Sequence, residues 1–365
     1  MRIIVDAFDL RGANPETRDY FRAVVQNLLG RRSNHTFTIA GWSGASCGDC
    51  ASFLSPLPRY ASSWSIVGDT PQNGRAGLEE RSVVFSPLGV PTRLPSRDCP
   101  RVVTFLGPAT HEQIHGLTRA VMPSGSRVLT LTRSTLSYLV RVVGLPPGHV
   151  RWIPPGAGLA PTWESTELSA DTDDGRVPSM PYLVTASAGS GMGRFLDVLE
   201  AFRLYTRGTE GKLRLLVLES PSFTRRQVVW WRGLGRHVRF VGTPSRSHRA
   251  RILAGSSAFL PLVGGDQAWF LTGEALRTGV PVIAPREPPF TEILEESALF
   301  YSPGSVGELT SEIWRCLECG NLARVLAQRG IARARAYSWD VFTSRLLELF
   351  SEIEAHRRWG REAAA

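Results

Sequence analysis

Residues Ala258–Ala284 read AFLPLVGGDQAWFLTGEALRTGVPVIA. The apolar run Ala258–Val263 is short and halts at Gly264-Gly265, the pattern of a buried strand followed by a breaker. Gly273–Thr278 fits a short helix, and Gly279-Val-Pro-Val-Ile-Ala284 returns as a second strand. Two acids flank the turn: Asp266 in the loop at the strand's carboxyl end, and Glu274, which the pattern places in the first helical turn. In open parallel sheets ligands gather at that edge.

The same alternation runs outward in both directions. Arg2–Phe8 opens as a strand, Asp19–Leu29 as a helix with Tyr20, Phe21, Val24, Val25 and Leu28 on its apolar face, and His35–Ala40 as another strand. Residues 42–80 are rich in Ser, Gly and Pro and read as irregular structure. Val83–Ser86, Val102–Leu106 and Arg127–Thr132 are short strands, and Leu136–Val143 fits a helix. Residues 164–178 are polar and acidic, as an interdomain linker would be. A second alternating series follows: strand Pro181–Ala186, helix Arg194–Tyr205, strands Arg214–Leu218 and Val238–Val241, and a closing amphipathic helix from Trp339.

The chain has 365 residues, more than one typical core uses, so two α/β domains are expected. The expected division is 1–163, a linker at 164–178, 179–338, and a last helix at 339–365. No apolar run approaches the ~18 residues of a membrane span and a strand begins almost at once, so neither signal peptide nor membrane helix is expected, and the location expected is cytoplasmic. The formal charge is +9, carried by arginine, with Lys212 the single lysine. Such a charge suits an acidic partner but selects none; no recognisable nucleic-acid module interleaves aromatics with basic clusters, so nucleic acid is not expected as a partner. Cys47-Gly-Asp-Cys50 and Cys316-Leu-Glu-Cys319 mimic zinc knuckles, but they fall in different expected domains without a histidine pair, and read as ordinary thiols.

Asp266, Glu274, Ala275, Gly279, Pro281 and Val282 stand in the frame of the acidic motif of glycosyltransferase family 4, which this chain resembles. Thr291-Glu-Ile293, Ala298-Leu-Phe300, Tyr337-Ser-Trp339, Leu199-Glu-Ala-Phe202, Val238-Arg-Phe-Val-Gly242 and Val150-Arg-Trp-Ile-Pro-Pro-Gly156 continue the resemblance over nearly the whole chain. It implies the GT-B fold: two Rossmann-like domains facing across a cleft, the first on the acceptor side, the second binding the nucleotide sugar, and a terminal helix crossing back to the first. It implies retaining transfer of a sugar from a nucleoside diphosphate sugar, with no further cofactor and no metal site.

By the same resemblance Glu274 holds the nucleotide ribose, a task that suits a carboxylate because it accepts hydrogen bonds from two vicinal hydroxyls; the other reading is an acid complementing the helix dipole. Asp266 takes the place of the acid that meets the donor sugar, about 1.5 Å shorter than the family's Glu. The Gly-Phe-Gly that follows in the family is here Gln267-Ala268-Trp269, with Phe270 next, and Trp269 either stacks on a ligand or blocks it. The basic pair expected before the first helix of the second domain falls on or near Ala188 and Gly193. What remains is Gly189-Ser190-Gly191-Met192-Gly193 with Arg194 behind it: an anion nest at a helix end with one cation, or a flexible turn. A helix starting near Thr272 would add its positive end to the diphosphate. In the first domain only Gly12 stands where a glycine pair is expected, and Leu106-Gly107 replace a donor-contacting histidine; His111 and His115, four apart, are either its substitutes or surface histidines.

Two functions stay open: a glycosyltransferase acting on a glycan, lipid-linked or small-molecule acceptor, or a catalytically degenerate relative that binds and activates a partner glycosyltransferase. Arg18, Arg22, Arg31 and Arg32 border the first helix, where peripheral contact with an anionic membrane would fall.

Overall fold

The computed structural model describes residues 1–7, 10, 13, 15–31, 33–40, 64–67, 82–89, 99–107, 111–121, 125–158, 180–186, 192–209, 212–218, 228–230, 232–242, 244–262 and 264–362. These form two compact units, Met1–Gly156 with Ser338–Ala365, and Ala157–Tyr337. The first boundary thus falls earlier than residue 163. The Ala157 N–H already donates to the Tyr337 carbonyl at 3.1 Å, joining the two ends of the second unit. The expected linker, 164–178, lies outside the described residues.

The first unit contains strands β1 (Arg2–Asp6), β2 (Thr36–Ala40), β3 (Trp64–Val67), β4 (Ser82–Ser86), β5 (Arg101–Phe105), β6 (Arg127–Thr130) and β7 (Val150–Trp152). They build one parallel sheet in the order β3-β2-β1-β4-β5-β6-β7. Its helices are α1 (Pro15–Leu29), α2 (His111–Val121) and α3 (Arg133–Arg141). β3 lies in the stretch expected to be irregular, and pairing with β2 makes it the edge of the sheet. α1 starts at Pro15 rather than Asp19: proline is tolerated in the first turn because its missing N–H would have had no helical partner there.

Tyr20, Phe21, Val24, Val25 and Leu28 are all at least 97% buried. The apolar face of α1 is therefore spent on the core, whereas Arg18 is exposed. Arg31 is engaged by Asp340 at 2.8 Å. The terminal helix, Trp339–Glu362, packs within this unit. Trp339 lies 6.3 Å from the Tyr20 ring, and Phe350 meets Phe85 edge-on at 5.6 Å. Gly156 is needed beneath it, since a Cβ there would stand 2.4 Å from the Trp339 ring.

The second unit contains β8 (Tyr182–Ala186), α4 (Met192–Gly208), β9 (Arg214–Leu218), β10 (Val238–Gly242), α5 (Arg246–Ala254), β11 (Ala258–Pro261), α6 (Ala268–Thr278), β12 (Val282–Pro285), α7 (Phe290–Leu294), β13 (Ala298–Tyr301), α8 (Val306–Glu318) and α9 (Gly320–Arg335). The terminal helix of the first unit is α10. The six strands are parallel in the order β10-β9-β8-β11-β12-β13. Side chains alternate between two buried faces: Leu183, Leu215, Val217 and Leu260 pack against α4 and α8, whereas Val184, Leu216, Phe259 and Val282 pack against α5 and α6. Burial on both sides explains the near-continuous apolar runs that mark these strands in the sequence.

Cys316 belongs to the first of those cores, and burial pushes its thiol up to about 12. Cys47 and Cys50 lie outside the described residues, among which no cluster of metal-ligating groups occurs.

Candidate functional site

The strand order marks a candidate position. In the second sheet the sequence order reverses between β8 and β11, which lie side by side with Pro261 level with Ala186. Loops leaving the carboxyl ends of strands flanking such a reversal diverge, leaving a crevice where ligands bind. The loop after β8 carries Gly189, Ser190 and Gly191, and the loop after β11 carries Asp266. Two segments distant in sequence therefore leave the sheet side by side at its switch point. Gly189, Ser190 and Gly191 themselves lie outside the described residues, as does Gly12.

α6 differs from its expected form. It begins at Ala268, directly behind Asp266, rather than near Thr272 or Gly273. Glu274 consequently sits in the second turn, and its carboxylate does not complement the helix end. The cause is packing: Trp269 is 2% exposed and lies 4.3 Å from the Tyr337 ring, so its burial pulls the segment into the helix. Trp269 faces the protein interior, as do Ala268 and Thr272, whereas Gln267 and Phe270 are half-buried. The Thr272 hydroxyl has no hydrogen-bond partner among the described residues. Gly273 is accepted mid-helix where Ala157 and Gly158 pass closely, 3.4 Å from where its Cβ would stand. Gly279 ends the helix at φ 74° and donates its N–H to the Ala275 and Leu276 carbonyls.

Asp266 is fully buried. Glu274 is not: its side chain keeps 13% of its surface, and its carboxylate is held from behind by Arg249 of α5, whose side chain keeps 5%. Arg249 Nε donates to Glu274 Oε2 at 2.7 Å and Nη2 to Oε1 at 2.6 Å. This is the parallel, two-bond fork that guanidinium and carboxylate geometries favour. Ser245 caps α5, its hydroxyl accepting from the His248 N–H at 3.3 Å. Arg246, Ser247 and His248 are buried with Arg249, although this helix is the most polar of its unit in composition. The sequence reading missed Arg249; its only trace there was a basic run, Arg246-Ser-His-Arg-Ala-Arg251, in a position otherwise flanked by core strands.

Arg194, in the first turn of α4, forms an ion pair with Glu287, in the loop after β12. Both are partly exposed, at 37% and 25%. Tyr301, at the end of β13, adjoins this pair; burial first, then Asp197 and Glu287, push its phenol up to about 12 against the opposing pull of Arg194. Gly193 is exposed with open space about it. In the first unit, His115 is exposed on α2 and His111 shares that helix, one turn earlier. Nearby, Leu106 is buried, and Gly107 is filled over by the Phe105 ring, 2.7 Å from where a Cβ would be.

No protein-family model matches the sequence. Over 124 residues, 33% of this chain and 33% of the relative, the sequence is 23% identical to a phosphatidyl-myo-inositol mannosyltransferase of Mycobacterium leprae (strain TN), so the match spans about a third of that protein's length. The crystal structure of WaaG, a glycosyltransferase involved in lipopolysaccharide biosynthesis, superposes with a TM-score of 0.67 at 14% identity, covering 96% of this chain and 99% of WaaG. HepE of Anabaena, in complex with UDP-glucose, gives 0.66 at 15% identity, over 96% and 100%. From its first strand to its terminal helix, this chain has the GT-B fold of the glycosyltransferases.

Proposed function

We propose that the chain is a glycosyltransferase that moves a sugar from a nucleoside diphosphate sugar to an acceptor hydroxyl with retention of configuration. The observation that carries this reading is Glu274: a carboxylate fixed by a two-bond fork, on a side chain that keeps 13% of its surface, in the second turn of the helix behind the switch-point loop. An acceptor-only group held in one orientation suits the vicinal hydroxyls of a ribose. HepE binds UDP-glucose, which supports a nucleoside diphosphate sugar as donor. Glu274 holds the ribose, and the start of α4 presents backbone N–H groups to the diphosphate. Arg194 adds charge there by exchanging Glu287 for phosphate. Charge developing on the departing diphosphate is thereby met by groups already in place.

A second reading is favoured by Asp266 and Trp269. A sugar hydroxyl cannot reach an aspartate without exposed surface, and the tryptophan behind it occupies core rather than donor space. A chain that kept the fold while serving as a binding or activating partner of an active glycosyltransferase would show these features.

Calorimetric titration with UDP, GDP, TDP and ADP and their sugars, on the wild type and on Glu274→Ala, separates the two. Micromolar binding of one nucleotide, lost in the variant, is expected of the enzyme. Well-folded protein that binds none of them removes the donor-site reading and leaves the partner reading.

A further inference from the structure

We infer that Arg249 is a positioning residue for nucleotide recognition: its guanidinium fixes the Glu274 carboxylate so that the face turned away from Arg249 receives the 2′- and 3′-hydroxyls of a bound ribose. This rests on the reading of Glu274 given above and adds the group that makes it selective.

Arg249 is the more buried partner, its side chain 5% exposed against 13% for Glu274, so of the two it is the glutamate that keeps surface toward solvent. Its two bonds, at 2.7 and 2.6 Å, each occupy one lone-pair site of a different carboxylate oxygen. A carboxylate offers about four such sites, so one remains free on each oxygen for an incoming hydroxyl. The residue is placed to do this by its element. α5 follows β10 and begins at the carboxyl edge of the sheet, and Arg249 stands one turn in from its Ser245 cap, on the side that packs against α6. Free, a glutamate side chain samples several rotamers and loses that freedom on binding; held by a planar fork it has lost it beforehand. Lysine cannot replace the fork, because an ammonium is a point charge that fixes position but not orientation.

A purely structural ion pair would contribute to stability and leave ligand preference untouched. The test therefore measures preference. UDP, GDP and ADP are titrated beside their 2′-deoxy counterparts, on the wild type, Arg249→Lys, Glu274→Gln and the double variant Arg249→Met with Glu274→Met, each checked for folding by its thermal transition. The double variant removes both charges and so leaves no buried ion unpaired. With the nucleotide that binds, the wild type is expected to favour the ribose form by about tenfold to a hundredfold, the value of one hydrogen bond to a charged group. Folded Arg249→Lys and the double variant are expected to lose most of that ratio. A folded Arg249→Lys protein that keeps the wild-type ratio, while Glu274→Gln loses it, overturns the positioning role alone. A wild-type ratio retained in Glu274→Gln, or binding of none of the nucleotides by the wild type, overturns the ribose assignment and the inference with it.

Discussion

Replacing Arg249 with methionine removes one half of a buried, two-bond ion pair and leaves the Glu274 side chain, 13% exposed, without its guanidinium partner. Breaking such a pair on one side costs about 3–5 kcal/mol, because the remaining charge keeps its desolvation penalty without its partner. For a unit of this size about 2–4 °C of midpoint accompanies each kcal/mol, so the transition of the second unit should fall by roughly 6–20 °C. Replacing both partners with methionine should restore stability to within about 1 kcal/mol of the wild type, since two apolar side chains of similar volume need no desolvation. The two single variants and the double variant close a cycle whose coupling should exceed about 2 kcal/mol. The chain divides into two compact units, so the assay must read the second one: urea unfolding followed by hydrogen exchange of peptides spanning 246–278. A cost below about 1 kcal/mol for Arg249→Met is the value of a solvent-screened surface pair and would refute the claim that this one is buried.

Trp269→Ala should destabilise the second unit by about 3–5 kcal/mol, because a buried indole packed on Tyr337 leaves a cavity, measured by the same unfolding assay. Gly279→Ala should cost about 1 kcal/mol or more: φ is 74° and the new Cβ would stand 3.0 Å from Ile331. Thiol labelling at neutral pH should modify exposed Cys319 and spare Cys316 until the unit unfolds, because burial holds the Cys316 thiol protonated up to about 12. Burial depresses the pKa of His35 in the folded first unit. Its neutral form is favoured there, so the unfolded chain binds the proton first; stability is full above the ordinary histidine value of about 6.5 and is lost as pH falls below it. His35→Gln should flatten that loss in a pH series of unfolding midpoints, and an unchanged slope would count against it.

The repeated strands, their parallel character and the two-domain scale were legible in the sequence because strands buried on both faces must be apolar throughout, and no nearby charge interrupts Leu215–Leu218 or Phe259–Leu262. The ends of the helices were not. Pro15 and Gly273 carry low helix propensity, yet each sits inside a helix: one where the backbone N–H is not needed, the other where a neighbouring segment passes too close for a larger side chain. The motif spacing likewise located Asp266 and Glu274, while exposure separated them. Asp266 is fully buried just ahead of a helix whose first turn is packed through Trp269 on Tyr337, far along the chain. Arg249 is the clearest case. Local sequence shows a basic run and cannot say which arginine meets Glu274; only the packing of α5 on α6 brings the Arg249 guanidinium to it. The sequence by itself determined the order of elements and the chemical type of the candidate groups, since both follow from local periodicity and residue identity. Tertiary structure decided which of those groups keep a face toward solvent and which are held by a partner, because burial and pairing depend on residues brought together from different elements.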